Sequence, residues 1–212
     1  MEVLSINVGQ PRQVEWEGQI VRTSIFKSPV EGPVRLRRHN LDGDSQSDAR
    51  VHGGPDQAVY AYPFEHYADW GVELPGAELG YGNFGENLTL QGLLEDQACV
   101  GDIYRVGEAR LRVTTPRIPC YKLEMRMNLP GLIERFLNSR RSGFYLAVEE
   151  EGELRAGDRL VLEYKDPHAV SIAEIFRVYA FDKDDREALR RILAVVGLPG
   201  SWRKRFARRL QI

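Results

Sequence analysis

The residues best suited to chemistry lie in one short stretch, residues 114–122, which reads TTPRIPCYK. It places Cys120 directly after the second of two prolines, with Arg117 and Lys122 close by in the chain. Nearby positive charge favours the thiolate, the form of cysteine that attacks electrophiles and binds metals. Because proline fixes φ and lacks a backbone donor, the two prolines predict the end of a strand and a fixed turn that presents the cysteine. The alternative is a cysteine that fills a small apolar gap at the end of a strand.

The composition of the chain is typical of a globular protein. Its 212 residues are enough for one large domain, or for one domain with a small appendage. A formal net charge of -2 gives no general attraction to nucleic acid or to acidic membranes, so neither is an expected partner. No apolar run approaches the roughly 20 residues of a membrane span, and the first residues lack the features of a signal peptide. The cytoplasm is therefore the expected location.

Cys99 is the second cysteine of the chain and precedes Gly101 in a segment that predicts a strand. A reducing compartment and the absence of a cysteine framework argue against a disulfide between Cys99 and Cys120. We expect both residues to be thiols, with Cys99 in the core.

Short alternating segments predict that the larger, N-terminal part of the chain is mainly β. The predicted strands cover residues 3–8, 19–26, 34–36, 109–114 and 143–148. Two Gly-Asp phrases, at 101–102 and 157–158, each predict a tight turn that feeds a strand. One helix is expected to begin at Pro63 and end at Gly71, and a shorter helix is expected over residues 131–137. This pattern is typical of a small closed β-barrel with flanking helices.

Two glycine-rich loops between the predicted strands are candidate site loops. The first contains His52, followed by Gly53 and Gly54, where backbone can approach a ligand closely. The second covers residues 80–90 and places Asn87 just before a strand. An imidazole at position 52 can donate a proton to a leaving group, but a hydrogen bond to a loop carbonyl is an equally simple interpretation.

After residue 166 the pattern becomes helical. Ser171 and Glu174 form a capping box that predicts the start of one helix. A second helix is predicted over residues 182–196 and a third over residues 201–210. The third carries a cluster of basic residues. Its simplest interpretation is a solvated helix face, and the alternative is a surface for nucleic acid, lipid or an acidic protein.

Several short phrases occur in an order that resembles the MOSC family, named after the C-terminal part of molybdenum cofactor sulfurases. In chain order they are GDSQ at 43–46, HGGPD at 52–56, AYP at 61–63, EHY at 65–67, FGENLT at 84–89, and PR, PC and Lys122 within 116–122. Together with the helical tail they point to the YiiM-type branch of that family. The resemblance implies a β-barrel domain with flanking helices over residues 1–166 and an all-α three-helix domain over residues 167–212.

The resemblance also implies a function. It implies a molybdenum cofactor and the reduction of N-hydroxylated substrates, such as hydroxylaminopurine-type bases or amidoximes. Cys120 matches the functional cysteine of the family, and a thiolate is a soft ligand that suits the metal; His52 is then a candidate proton donor. No flavin, haem or iron–sulfur signature occurs in the chain, so an external electron-donor protein or reductant is expected. The alternatives are a sulfur carrier with a persulfide on Cys120 and a noncatalytic cofactor-binding module.

The cofactor carries a phosphate and a heterocycle, which need cations and hydrogen-bond donors. The residues expected to bind it are Arg117, Lys122, Arg141, Asn87, Ser142, Gly143, Gly53 and Gly54. For the cations the alternative is a set of outward salt bridges. For Asn87 the alternative is a purely structural role in its turn. Arg140 and Arg141 are consecutive, and Arg141 is chosen over Arg140 only by its register in the motif.

Overall fold

The computed structural model describes residues 1–45 and 53–211. His52 and residues 46–51 therefore lie outside the described residues. The strands of the described part are β1 (Glu2–Val8), β2 (Arg12–Trp16), β3 (Gln19–Thr23), β4 (Ser28–Pro29), β5 (Val34–Leu36), β6 (Val59–Pro63), β7 (Leu88–Gln91), β8 (Ile103–Val106), β9 (Ala109–Pro116), β10 (Phe144–Glu150), β11 (Gly152–Leu154) and β12 (Leu160–Tyr164). The helices are α1 (Glu65–Glu73), α2 (Tyr121–Met127), α3 (Leu132–Ser139), α4 (Ile172–Ala180), α5 (Arg186–Ala194) and α6 (Gly200–Leu210), and a short 3-10 helix covers Pro55–Gln57.

The main sheet contains eight strands in the order β12-β8-β9-β10-β6-β7-β1-β4. Its neighbours are antiparallel except for β6 and β7, which run parallel. An antiparallel bridge joins Glu2 to Arg159, and the Val3 N–H donates to the Asp158 carbonyl at 2.9 Å. In the described residues β4 and β12, the end strands of this order, form no ladder with each other. The predicted closed barrel is therefore unconfirmed, and the domain is a mixed, sheet-dominated fold with helices.

The second predicted strand, over residues 19–26, is shorter than expected. It ends at Thr23, whose partner Arg12 lies on β2, a strand that the sequence analysis did not predict. Beyond this pair the chain turns, because the Ile25 N–H donates to the Thr23 hydroxyl and the Lys27 N–H donates to the Ile25 carbonyl. The β2–β3 pair is thus a separate two-stranded sheet, and residues 24–27 do not continue strand β3.

The helices of the sheet domain differ from the predictions at their ends. Pro63 is the last residue of β6, and α1 continues past Gly71 because the Leu74 N–H still donates to the Trp70 carbonyl at 2.8 Å. The helix predicted over 131–137 is present as α3. Helix α2 was not predicted, since its seven residues follow directly after the proline-rich turn.

The three C-terminal helices are present. The capping box is confirmed, because the Ser171 hydroxyl accepts from the Glu174 N–H at 3.1 Å. The predicted cap at Asp182 is wrong: Asp185 caps α5 by accepting from the Ala188 N–H at 3.0 Å. Asp182 instead forms an ion pair with Arg177 at 2.5 Å.

The three-helix region and the main sheet share one continuous hydrophobic core. Ile175, Leu189 and Phe206 from the helices belong to the same buried cluster as Val100 and Leu111 from the sheet domain. The domain boundary at residue 166 stays a prediction. Helices in the described residues are all too short or too polar to cross a bilayer.

The basic cluster of α6 is partly structural. The Arg203 guanidinium donates to the carbonyls of Leu193 and Val195 at 2.5 and 2.6 Å. The Arg209 guanidinium donates to the carbonyls of Val178 and Tyr179 at 2.8 and 3.2 Å. These carbonyls lie at the C-terminal ends of α5 and α4, so the two arginines stabilise helix ends.

We expect Arg203→Met to lower the free energy of unfolding by about 2 kcal/mol, because two carbonyls lose charged donors. Urea unfolding followed by circular dichroism measures the change. Lys204→Met is the matched control on the same helix, because Lys204 is exposed, and it should change stability by less than about 0.5 kcal/mol. Equal losses in both variants would contradict the assignment.

Candidate functional site

A cavity of about 120 Å³ lies beside the stretch that contains Cys120. We call it the Cys120 cavity. Residues from six separate segments of the described chain line it, among them Lys27, Asn87, Arg117, Cys120, Lys122 and Tyr145. The cavity therefore combines one thiol with three cationic side chains.

Cys120 is positioned by the end of β9 and the start of α2. Beyond Pro116 the chain stays next to β10, since the Arg117 N–H donates to the Gly143 carbonyl at 3.4 Å. Cys120 itself is extended, with φ −132° and ψ 171°, and is the N-cap residue of α2. Its carbonyl accepts from the Leu123 N–H at 2.9 Å, which fixes the backbone. The half-buried thiol thus lies at the cavity wall on a fixed backbone.

Arg117 is a buried cation in this wall. Only 6% of its surface is exposed, and its guanidinium carbon lies 5.0 Å from the Tyr60 ring centre and 5.3 Å from that of Phe136. Its Nη1 atom is buried and has no hydrogen-bond partner among the described residues. Burying a charge with an unsatisfied donor is costly, so this site favours an anionic or hydrogen-bond-accepting ligand.

Lys27 is a cavity cation that the sequence analysis missed. Its Nζ atom lies 2.5 Å from Asp44 Oδ1, and both side chains are buried. Burial lowers the pKa of Lys27, and the charge of Asp44 opposes that shift. The motif phrase at 43–46 contains Asp44 and was a usable signal, whereas nothing near Lys27 in the sequence indicated a site.

Asn87 lies in the cavity lining, but the protein already uses both ends of its amide. Its Oδ1 accepts from the Tyr60 N–H at 3.1 Å. Its Nδ2 donates to Asp44 Oδ2 at 2.9 Å and to the Asn7 carbonyl at 3.3 Å. This geometry favours the structural alternative, in which Asn87 holds Asp44 and the loop in place.

The glycine-rich loop before β7 forms the support behind Lys27. The buried Glu86 carboxylate accepts from the Gly82 N–H at 2.7 Å, the Phe84 N–H at 3.0 Å and the Tyr67 hydroxyl. Gly82 has φ 84°, and a Cβ there would lie 2.8 Å from the Lys27 carbonyl oxygen. The loop therefore packs directly on the Lys27 backbone, which only glycine permits at this position.

Arg141 lies elsewhere. Its guanidinium pairs with Glu73 at 2.8 Å and with Asp69 at 3.3 Å, and it lies 5.0 Å from the Trp70 ring centre. It does not belong to the cavity lining. The structure thus places Arg141 in salt bridges, the alternative given in the sequence analysis, although its Nη1 atom is buried without a hydrogen-bond partner among the described residues.

Ser142 and Gly143 do not supply donors to the cavity either. The Ser142 hydroxyl donates to the Gly143 carbonyl at 2.8 Å, and the Gly143 N–H donates to Glu95 Oε1 at 2.7 Å. Glu95 also contacts His66 of α1 at 2.8 Å. Both groups are therefore hydrogen-bonded within the protein.

The His52 loop is described from Gly53 onwards. Gly53 lines the cavity, and its N–H donates to the Gln57 side chain at 3.2 Å. Gly54 precedes the 3-10 helix with φ 87° and lies outside the lining. The predicted role of His52 lies outside the described residues and stays a prediction.

Cys99 is buried, as predicted, although it forms a single bridge with Ser171 and not a full strand. Its thiol donates to the Gln97 carbonyl at 3.6 Å. Burial raises the pKa of the Cys99 thiol, and the nearby Asp102 carboxylate raises it further. Cys99 is therefore a core residue.

The comparisons with known proteins agree with this architecture. Residues 48–161 match the MOSC domain, and residues 170–212 match the YiiM-like, 3-alpha helix domain. The chain belongs to the MOSC domain family. Within it, the C-terminal match and the relatives described next place the chain with the YiiM-like proteins, which confirms the resemblance of the sequence phrases.

The chain is 38% identical over 207 residues to the uncharacterized protein YflK of Bacillus subtilis, covering 98% of this chain and 93% of that protein. It is 37% identical over 191 residues to protein YiiM of Escherichia coli, covering 88% and 84%. A Gibberella moniliformis protein named reductase is 31% identical over 83% of this chain, which spans 32% of that protein. The crystal structure of YiiM from Geobacillus stearothermophilus has a TM-score of 0.83 at 38% identity, covering 99% of this chain and 98% of that chain.

We expect iodoacetamide to modify Cys120 well before Cys99. Cys99 is buried and its pKa is raised, so its thiolate fraction stays small until the pH exceeds the usual pKa of a thiol. Peptide mass spectrometry over time, at several pH values, measures both rates. The Cys99→Ser variant should keep the fast reaction and Cys120→Ser should lose it; fast labelling of Cys99 at neutral pH would contradict this assignment.

Proposed function

We propose that this protein binds a molybdenum cofactor in the Cys120 cavity and reduces N-hydroxylated compounds. The observation that carries the proposal is the buried Arg117, whose Nη1 atom has no hydrogen-bond partner in the described part of the chain, together with the Cys120 thiol in the lining of one cavity. Membership of the MOSC family and the name of the Gibberella moniliformis relative support an oxidoreductase role.

The residues of the cavity fit such a cofactor. Cys120 offers a soft sulfur ligand for the metal. Arg117 and Lys122 offer positive charge and donors for the phosphate, and Lys27 adds a third charge that Asp44 holds in place. An anion beside Lys27 would also offset the effect of burial on its pKa.

When bound, the cofactor supplies two-electron chemistry at the metal, for which the protein provides binding, orientation and electrostatics. The overall reaction breaks the N–O bond: R–NH–OH, two electrons and two protons give R–NH2 and water. The electrons come from an external electron-donor protein or reductant. One proton joins the hydroxyl oxygen, which leaves as water, and the other joins the nitrogen, which becomes the amine.

The half-buried Tyr145 can hold a proton near the reacting group. Burial raises the pKa of Tyr145, although the charge of Arg117 opposes the shift, so the hydroxyl stays protonated at neutral pH. Tyr145 lines the Cys120 cavity. Its hydroxyl can therefore orient the hydroxyl oxygen of a substrate as a neutral donor. His52 remains the predicted acid for the departing oxygen.

A sulfur carrier is the second candidate, because the same half-buried thiol could take a persulfide. Mass spectrometry of protein purified without reductant distinguishes the two functions. A mass increase of one sulfur atom on the Cys120 peptide, without bound molybdenum or pterin, would favour the carrier. A noncatalytic cofactor-binding module predicts bound pterin with no reduction of N-hydroxylated compounds.

Cys120→Ser should lose bound molybdenum after anaerobic purification from cells that make the cofactor. The reason is the loss of the soft sulfur ligand, and elemental analysis measures the metal content. Cys99→Ser is the matched control and should retain the metal, because Cys99 does not line the cavity. Equal metal content in wild type and Cys120→Ser would refute ligation by this residue.

Arg117→Met should reduce bound pterin by at least about tenfold, the loss expected when a charged hydrogen bond worth about 1.5–3 kcal/mol is removed. Pterin fluorescence after denaturation measures the bound cofactor. Arg141→Met is the control, since its guanidinium pairs with Glu73 and Asp69 away from the cavity. A loss of pterin in Arg141→Met equal to that in Arg117→Met would contradict the site described here.

A further inference from the structure

A second cavity of about 250 Å³ lies where the three-helix region meets the sheet domain. We call it the helix groove. It shares Gln57, Ile118 and Tyr145 with the lining of the Cys120 cavity. The two spaces are therefore adjacent, with Ile118 and Tyr145 as common wall.

The outer wall of the helix groove comes from α4 and α6. Tyr179, Trp202 and Arg205 line it. The ring centres of Tyr179 and Trp202 are 5.1 Å apart at an interplanar angle of 45°. Arg205 Nη1 donates to the Tyr179 hydroxyl at 3.3 Å, and its guanidinium carbon lies 5.2 Å from that ring. This wall thus presents aromatic surface and one cation that is itself exposed to solvent.

We propose that the helix groove is the subsite for the ring system of the substrate, and that Trp202 and Arg205 determine specificity for planar N-hydroxylated heterocycles. The inference rests on the proposed function. A ring in the groove would place an N-hydroxyl substituent towards the shared wall and the Cys120 cavity beyond it.

The chemistry of the two spaces supports this division. The Cys120 cavity is lined by three basic side chains, which suit the phosphate of a cofactor, and by the Asp44 carboxylate that pairs with one of them. The helix groove instead combines aromatic rings with one guanidinium. Aromatic side chains stack on any planar base, and a guanidinium recognises acceptor atoms on the edge of a purine ring. The groove therefore suits an aromatic heterocycle with ring acceptors better than an aliphatic hydroxylamine.

The test compares two probes on the cofactor-loaded protein: 6-hydroxylaminopurine, which has a ring system, and hydroxylamine, which has none. For Trp202→Ala, kcat/KM for the purine should fall at least about fivefold relative to kcat/KM for hydroxylamine, the loss of one stacking contact. Trp202→Phe should recover most of the ratio because it keeps a ring. Trp16→Ala, on the β2–β3 pair, is the matched control and should leave the ratio unchanged.

Failure of the inference and failure of the function give different results. An unchanged ratio in folded Trp202→Ala, with both probes still reduced by the wild type, would overturn the subsite alone. No reduction of either probe by loaded wild type would overturn the proposed function and the subsite with it. Calorimetry provides a readout that does not depend on activity. Wild type should bind 6-hydroxylaminopurine. The single variant Trp202→Ala and the double variant that combines Trp202→Phe with Arg205→Met should both bind it more weakly.

Arg205→Met separates recognition of the ring edge from stacking. It should lower kcat/KM for 6-hydroxylaminopurine but change kcat/KM for benzamidoxime much less, because the benzene ring offers no acceptor atoms. Lys204→Met, next in the chain and exposed, is the charge-matched control and should not alter the ratio. Equal losses for the two ring compounds would show that Arg205 does not read the ring edge.

Discussion

The buried guanidinium of Arg117 is the constraint on which the site depends. It lies against Tyr60 and Phe136, which exclude water, and it takes part in no ion pair with a carboxylate among the described residues. Folding therefore leaves a charge in a place where it is poorly solvated. Arg117 also lines the Cys120 cavity, and its Nη1 atom has no hydrogen-bond partner among the described residues. A ligand with negative charge turns this unfavourable burial into binding energy.

The rest of the fold brings distant segments to that charge. Strand β9 ends at Pro116, the chain turns, and the N-cap of α2 fixes the sulfur of Cys120 nearby. The opposite wall comes from the far N-terminal part of the chain, where the glycine-rich loop packs on the backbone of Lys27. The segments that carry Lys27 and Cys120 are each tied to the sheet by neighbouring backbone hydrogen bonds. The geometry at the sulfur is thus a property of the sheet itself.

Much of this could be predicted from local sequence, and the remainder depends on contacts between distant residues. The proline-rich stretch predicted the end of β9 to within two residues, since the strand includes Thr115 and Pro116, and the capping box located α4, because both signals act within a few residues. Lys27 could not be found in this way, since it reaches the cavity only through the turn after Thr23. Arg141 was misplaced because Arg140 ends α3 with φ 62°, and the direction of the next side chain depends on that turn. The closed barrel was expected from the strand pattern and from the family resemblance, and the strand pattern does not determine how the two ends of a sheet meet.

Trp202 belongs to two environments at once. It lines the groove beside the site, and its ring also packs on Tyr179 and on the buried Phe206 of the shared core. A mutation that reshapes the groove therefore disturbs the packing of the C-terminal helices, which limits stepwise evolution of ligand preference at this position. Because Trp202 also packs against the core that the helices share with the sheet, a substitution there reshapes the groove and the contact between helices and sheet at the same time.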